Sequence, residues 1–392
     1  MSSFILLTQG TGGDLYPFIQ ISNQLKARGH KVTLIADPQF EEVVERYGIN
    51  FLSLYIPSQV EKLGVSIPIE KMLETRAFDR REMFRHFQMV IKICSYIHAW
   101  CDSKDTVLIG HENLSIVSQT IAEILKLPYG VIFPSPYFVM RLPMYGEAFS
   151  IDANIINQYR DQLNLPPVHD WISWLKTAKW KIGLWPEWFA PNDTAWIFEL
   201  SLVGFIWNQE FETGEIPKDV EEFLDDGEPP VLITHGTSEP LKAGFFSASI
   251  EACKTTGRRV IVVSPYDKAL PHYLPNSVKR YKYLPFASLL PRLGTIVHHG
   301  GIGTVNQSLI AGIPQLILAH GFDRPDNGYR VRCLGIGECL PPNSWRADMV
   351  AAALRRLMTV EVQERCREIS LRPVSVTESV AAICEIIDPT QI

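Results

Sequence analysis

Two strand-to-helix turns in this chain set polar side chains beside bare backbone. The first reads TQGTGGDLYP, residues 8–17, with glycines ahead of Asp14. The second lies in VHHGGIGTVNQSLIAGIPQLI, Val297 to Ile317, where His298 and His299 precede Gly300, Gly301, Gly303 and Gly312. Glycine lets a ligand reach main-chain N–H groups, and a helix N-terminus leaves such donors unpaired with a partial positive charge. Together they make an anion site of the kind that takes phosphate. A histidine beside it adds a donor for a diphosphate oxygen, and Thr304 adds a hydroxyl. The structural alternative is a tight turn with glycine at steric pinch points. At the first turn, a desolvated Asp14 can act as a general base, or it can cap the helix that follows. Residue type leaves both roles open.

Three further segments follow predicted strand ends. GHENL, residues 110–114, offers His111 or Glu112, though a lone histidine is more often structural. AHGFDRPDNG, residues 319–328, sets Asp323, Arg324, Asp326 and Asn327 after a strand, as sugar-hydroxyl contacts or as a solvated loop. Gly10 and Gly12 fit the start of a dinucleotide motif, and Asp37 ends the second strand, but Leu15 stands where the third glycine belongs. The chain has no G-x-S-x-G, H-E-x-x-H or Walker A motif, so hydrolase, zincin and P-loop readings have no footing.

The elements that position these residues alternate. FILLT, KVTLIAD, INFLSL, TVLIG and YGVIFPS read as strands, interleaved with helices at 16–29, in EEVVERYG and at 115–127. This predicts a parallel sheet covered on both faces. Residues 58–102 and 137–188 read as mostly helical. The latter holds Trp171, Trp174, Trp180, Trp185 and Trp188, either core packing or the wall of an apolar ligand pocket. An acidic stretch, residues 208–229, reads as an interdomain linker. Alternation then restarts through VLITHG, RVIVVS, VKRYKYL, TIVHHG and PQLILA, and SVTESVAAICEII at 375–387 is an amphipathic helix. The predicted domains are 1–207, the linker 208–229, a second domain 230–373 and a terminal helix in 374–392. Two such α/β units with a cleft between them would take ligands at the carboxyl ends of their strands.

Bulk properties agree with a large soluble protein. The chain has 392 residues, 46% hydrophobic and 20% charged, with a formal net charge of −6. That balance argues against bulk binding to nucleic acid. No apolar run reaches a membrane span, and the N-terminus lacks a basic region ahead of its apolar stretch. Seven scattered cysteines, none in C-x-x-C, suit free thiols in the cytoplasm and give no zinc site.

Taken together, these motifs resemble the family 1 glycosyltransferases of GT-B architecture, near the rhamnolipid-type rhamnosyltransferases and sterol glucosyltransferases. The segments that carry the resemblance are GTGGDLYPFIQISNQLKARGHKVTLIADPQFEEVVERYGI, PNDTAW, FLDDGEPPVLITHGT, LPFASLLPRLGTIVHHGGIGT, AGIPQLILAHGFDRPDN and LGIGECLP. The resemblance implies two facing Rossmann-like domains. Gly12, Gly13, Gly236, Thr237, Gly301, Gly303 and Thr304 would line the nucleotide sugar, and His299 would contact its diphosphate. Gln307 would meet the ribose, and Tyr283 with Leu284 the base. Asp323 falls where the family carries the first residue of an Asp–Gln donor-sugar motif, but Arg324 replaces the glutamine. Asp14 stands where plant members carry the catalytic histidine and bacterial and sterol-type members an aspartate. His111 or Glu112 lies near its supporting residue. The implied enzyme inverts the anomeric carbon without a metal or cofactor, taking a UDP- or dTDP-sugar to a hydroxyl of a lipophilic acceptor. The terminal helix would pack back on the N-terminal domain. The expected form is a cytoplasmic monomer or homodimer, with room for a peripheral membrane contact. The rival readings are a non-catalytic nucleotide-sugar-binding accessory protein and a sugar-nucleotide 2-epimerase of the same architecture.

Overall fold

The computed structural model describes residues 1–54, 80–100, 105–193, 196–207, 214–237, 244–372 and 375–388. The chain forms two compact α/β units. One comprises Met1–Ile206 with Ser375–Ile392, and the other comprises Trp207–Val374.

The first unit is built on seven strands: β1 (Ser3–Leu7), β2 (Lys31–Ala36), β3 (Asn50–Ser53), β4 (Thr106–His111), β5 (Tyr129–Phe133), β6 (Trp180–Gly183) and β7 (Ser201–Leu202). Their spatial order is β3-β2-β1-β4-β5-β6-β7, with every pairing parallel. Phe4 to Leu7 are all buried. A run without alternation is what a parallel strand covered on both faces requires. The second sheet holds β8 (Val231–Thr234), β9 (Val260–Val263), β10 (Val278–Tyr281), β11 (Thr295–His298), β12 (Gln315–Leu318) and β13 (Gly337–Leu340), in the order β10-β9-β8-β11-β12-β13. Its two faces feed separate cores. Val231, Ile233, Val260, Val262 and Val297 join one, and Leu232, Ile261, Val263 and Ile296 join the other. That split is the two-residue side-chain period of a strand.

Both sheets reverse strand order once, between β1 and β4 and between β8 and β11. Ligand sites of open α/β sheets form at the carboxyl ends of strands beside such a reversal.

Several elements differ from the sequence reading. The first helix runs Gly12–Ala27, not from Tyr16, and Pro17 lies inside it, past the first turn, where it cannot donate an intrahelical bond. The segment read as a linker contains the helix Lys218–Asp225, whose Val220 and Leu224 enter the second unit's core. These two, with the partly buried Phe223 packed against the same core, suffice to dock it despite the acidic composition. The stretch 319–328, read as a loop, becomes helical at Arg324, with Pro325 in the first turn. Of the predicted helical stretch 58–102, only the helix Arg80–Trp100 falls within the described residues.

The tryptophan-rich stretch is core rather than an apolar wall. Trp180 opens β6 instead of continuing a helix. Trp171 packs edge-on to Trp174 beside Ile156 and Val168. Trp185 is fully buried and donates Nε1–H to the Ala190 carbonyl at 2.9 Å. Trp188 meets Phe189 and Phe205 edge-on.

The last helix, Val376–Ile387, belongs to the first unit. Ser375 caps it by accepting the Glu378 N–H at 3.2 Å. Val376, Val380, Ile383 and Ile387 are buried at helical spacing. Arg28 donates to the Ala381 carbonyl at 3.3 Å, and His30 Nε2 meets Asp388 Oδ2 at 3.1 Å in a nearly sealed contact. Among the described residues no helix is long and apolar enough to cross a membrane, and the described cysteines are free thiols.

Candidate active site

The crevice between β1 and β4 gathers the polar residues of the first unit. β1 delivers the turn Thr8 to Thr11, and Asp14 follows in the first turn of the helix. The carboxylate is held by three donors. Thr11 N–H and Oγ reach Oδ2 at 2.7 and 3.1 Å, and His111 Nε2 meets Oδ1 at 3.2 Å. Asp14 therefore caps its helix, and its other oxygen faces a histidine. A Cβ at Gly10 would lie 2.3 Å from Asp14 Oδ2, so only glycine admits this carboxylate. Asp37 accepts the Gly10 N–H at 3.0 Å and fixes the turn from the end of β2. This is a backbone role, distinct from the ribose contact of a dinucleotide site. Gly12 is buried in the helix start, whereas Gly13 is exposed and a Cβ there would meet only Thr11 Oγ1, at 3.8 Å.

His111 closes β4 with its side chain 2% exposed, while Asp14 keeps 25% of its side chain open. Its Nδ1 accepts the Asn113 N–H at 3.2 Å, and Phe18 stacks on the ring. Of the two candidates at this strand end, His111 touches Asp14, and Glu112 is buried in the short turn that follows. Burial pushes the Asp14 carboxyl up, but the bonds from His111 and Thr11 outweigh it, leaving its pKa below the ordinary 3.8. Burial opposes a charge on His111, yet Asp14 and Glu112 prevail and raise its pKa above 6.5. Asp37 is raised, by burial first and by the Asp14 charge as well.

The crevice between β8 and β11 gathers a second cluster. His299 follows β11, and its ring stacks on His235, which follows β8, at 4.8 Å between centroids. Glycines bound the His299 ring. A Cβ at Gly301 would lie 2.5 Å from its Nε2, and one at Gly236 would lie 2.7 Å from its Cε1. The His299 Nδ1 is buried without a hydrogen-bond partner. Burial, the Arg324 guanidinium, His235 and His298 together drive the His299 pKa well below 6.5, so the ring is neutral. His298 is structural. It accepts the Gly300 N–H at Nδ1 and shares Nε2 with Gln315 Oε1 at 3.1 Å, and burial pulls its pKa down to about 3.

The four glycines divide their work. Gly300 has φ of +92°, and Gly312 ends the helix Ile302–Ala311 at φ +66°. Gly301 makes room for His299. A Cβ at Gly303 would meet nothing within 4 Å, so space is open at this helix N-terminus beside Thr304, which is largely buried.

The second helix N-terminus of this cluster starts at Arg324. Asn327, which the sequence left as a sugar contact or part of a solvated loop, is sealed and donates to the Gly300 carbonyl at 3.0 Å and to Asp323 Oδ2 at 2.8 Å. Asp326 is spent on Arg330 at 2.7 Å. Arg324 is mostly buried, with Nη1 3.5 Å from the His320 carbonyl, and burial lowers its pKa. Gly236 is in the left-handed region, and Thr237 is exposed with its carbonyl accepting the Tyr266 hydroxyl at 3.0 Å. Tyr283 is 58% exposed, while the Leu284 side chain is buried in the core. Leu284 thus offers a ligand backbone only. Gln307 lies on the same helix as Thr304, one turn in.

Sequence reasoning passed over His235, Asn113 and Thr11. The signal for His235 was legible: THG after β8 and HHG after β11 end adjacent strands with histidine before glycine. Asn113 and Thr11 act through the backbone or a cap, and only geometry reveals them.

Two parallel sheets, each with one order reversal and polar residues gathered at it, define a paired Rossmann-like architecture. Known proteins share it throughout. A kitacinnamycin glycotransferase superposes with a TM-score of 0.74 at 17% identity, covering 98% of this chain and 99% of that one. A spinosyn rhamnosyltransferase complexed with thymidine diphosphate superposes at 0.72 and 15% identity, covering 98% and 99%. Residues 4–142 match the glycosyltransferase family 28 N-terminal domain, and residues 254–378 match the erythromycin biosynthesis protein CIII-like C-terminal domain. The O-mycaminosyltylonolide 6-deoxyallosyltransferase of Streptomyces fradiae is 24% identical, over 90% of this chain and 89% of its own. A sterol 3-beta-glucosyltransferase of Pichia angusta is 26% identical over 91% of this chain but only 31% of its own. The chain belongs to the GT-B glycosyltransferases of family 1 type, and it is a transferase enzyme.

Proposed function

We propose that this enzyme moves a sugar from a nucleoside diphosphate sugar to a hydroxyl of a lipophilic natural product or sterol, with inversion at the anomeric carbon. The observation that carries the reading is the second crevice. A neutral His299 with a partnerless buried Nδ1 stands beside an open helix N-terminus at Gly303, which suits a diphosphate better than any neutral ligand. Thymidine diphosphate accompanies the spinosyn enzyme and another structural neighbour, the glycosyltransferase VinC. This supports dTDP as the first nucleotide to try and UDP as the second. The named acceptors of relatives are a macrolide, sterols and the vancomycin aglycone, which supports a bulky lipophilic acceptor.

In this reading Asp14 takes the proton of the acceptor hydroxyl. The oxygen attacks the anomeric carbon opposite the phosphate, and the bond to the nucleoside diphosphate breaks with its electron pair. His299, Thr304, the N–H groups at Gly303 and Arg324 meet the charge on the leaving diphosphate. Protein groups supply the stabilisation, and the reading calls for no metal. Tyr283 offers its exposed ring to the base and Gln307 its amide to the ribose. Asp323 and Arg324 select the sugar.

The test is a melting-temperature screen with dTDP, UDP, GDP and their sugars, since a ligand of the folded state raises the midpoint. The expected result is a rise with dTDP or UDP. Failure of every nucleoside diphosphate to shift a well-folded sample refutes the donor site. Conversion of a donor sugar to its epimer without acceptor refutes the transferase.

A further inference from the structure

Two adjacent histidines after β11 are held in different ways. His298 is fixed at both nitrogens, by the Gly300 N–H and by Gln315 Oε1. The Nδ1 of His299 is buried with no partner. A ring without that bond takes its direction from the surfaces packed beside it.

The turn after β8 supplies those surfaces. Thr234 pairs with His298 in the parallel register of β8 and β11. His235 and His299 therefore stand side by side one step beyond the ladder. Their rings stack at 4.8 Å between centroids and 28° between planes. Neighbouring strands are spaced by about the same distance, so the stack continues the sheet with side chains. Gly236 follows at φ +64°, its N–H bonded to Thr234 Oγ1 at 3.1 Å. A Cβ there would lie 2.7 Å from His299 Cε1. One residue forms a floor under the imidazole, and the next clears its edge. The floor is itself anchored. His235 is buried, and Phe245 meets it edge-on at 4.9 Å and 83°. Phe245 packs in turn against Phe246 and Trp345 within the core of this unit. Trp345 donates Nε1–H to the Leu340 carbonyl at 3.1 Å.

We infer that His235 is a positioning residue of the donor crevice: its ring face sets the plane of His299, and so the direction in which that imidazole meets a diphosphate. The inference rests on the reading of His299 as a diphosphate contact. His235 acts through His299, and its flat face does the work rather than its nitrogens. A stacked aromatic contact, or a side chain ordered before binding, changes affinity by about 2- to 10-fold.

The experiment compares His235→Leu, which fills the space without a flat face, with His235→Phe, which keeps the face without the nitrogens. Calorimetry reads the affinity for dTDP or UDP. His235→Leu is expected to weaken binding by about 2- to 10-fold, and His235→Phe by less than about twofold. Equal loss in the two variants overturns the inference by giving the work to the nitrogens, and no loss in either removes His235 from the site. Placed on a His299→Ala background, His235→Leu is expected to change affinity no further. An undiminished loss there makes the effect one of general packing and overturns the inference. His299→Ala alone separates the two levels. Unchanged affinity in that variant overturns the diphosphate reading itself, whereas weakened binding beside an adverse His235 result overturns only the inference. Should the His235 variants not fold, NMR of the wild-type protein labelled at histidine reads the Overhauser contact between the two rings. Its persistence on addition of dTDP is expected, and its loss overturns the inference.

Discussion

Gly301 gives the sharpest handle on the donor crevice. Its φ of −62° and ψ of 139° suit any residue, so Gly301→Ala brings no backbone strain. The new Cβ would instead lie 2.5 Å from His299 Nε2 and 2.9 Å from Cε1. Carbon contacts rest at about 3.5–4.0 Å, so the ring must give way by about 1 Å. It cannot slide freely, because His235 stacks on it at 4.8 Å. Overpacking of this kind costs about 1–3 kcal/mol. A displaced donor also loses its bond to a charged phosphate, about 1.5–3 kcal/mol or roughly 10- to 100-fold in affinity. Calorimetry with dTDP or UDP and thermal melting read the two effects. A cycle with His299→Ala isolates the contact. Once the ring is gone, Gly301→Ala should cost almost nothing in either assay. Gly303→Ala is the control, since its Cβ meets nothing within 4 Å. It should leave the melt unchanged or raise stability by up to about 1 kcal/mol, as alanine does in a helix, yet weaken nucleotide binding by filling the open space. Unchanged nucleotide affinity in Gly301→Ala, or penalties that simply add in the cycle, would refute the argument that His299 is the donor held by this glycine.

Other outcomes follow from the two crevices. Asp14→Asn should lower turnover about 10²–10⁴-fold, the contribution of a general base, with nucleotide affinity intact by calorimetry; near-normal turnover rejects the role. Arg324→Gln removes a guanidinium that depresses His299, so the His299 pKa should rise by NMR titration and the preferred donor sugar should change across a panel; identical titration and donor profiles make Arg324 a bystander. The Asp14–His111 pair should give stability and activity opposite pH trends. Asp14 is depressed, so its contribution is present above 3.8 and is lost as pH falls through its lower folded value. His111 is raised, so its contribution is full below 6.5 and is lost as pH rises through its higher folded value. The melting difference between wild type and His111→Gln should therefore be largest between 3.8 and 6.5, while kcat rises above that window; parallel trends contradict the coupling. Asp388→Ala should cost about 1–3 kcal/mol by leaving the sealed His30 nitrogen without its partner, and an unchanged melt means that this pair does not hold the last helix.

Much of the fold was legible because a parallel strand buried on both faces has little choice of residue. FILLT, VLIG and VLIT carry almost no polar side chain, and helices with caps separate them. The candidate site was legible where glycine and histidine stand together at a strand end, as at Gly301, Gly303 and His299. It was illegible where one residue serves the backbone of another. Asn327 looks like a sugar ligand in the sequence DRPDN, yet its amide clasps Gly300 and Asp323. His111 and Glu112 were indistinguishable as adjacent residues, because the choice depends on which side chain β4 turns toward the first helix. The tryptophan stretch left two readings open for a different reason. Large apolar residues have the same composition signature in a core and in a pocket, and only their mutual edge-on packing decides.

The two crevices treat buried charge in opposite ways. In the first unit, three donors converge on Asp14, and their sum exceeds the cost of burial, so a carboxylate survives there as an anion. In the second unit, burial and a neighbouring guanidinium act together on His299, so an imidazole survives there only as a neutral donor. The proposed transfer calls for both conditions at once. A protonated Asp14 could not accept the acceptor's proton. A charged His299 would clamp the leaving diphosphate in the ground state as strongly as in the transition state, which raises affinity without raising kcat. Donors that are neutral and pre-positioned add most where charge grows during the reaction. On this argument Arg324 matters beyond any role toward a sugar, because its charge adds to burial, the larger cause, in keeping the histidine one strand away neutral.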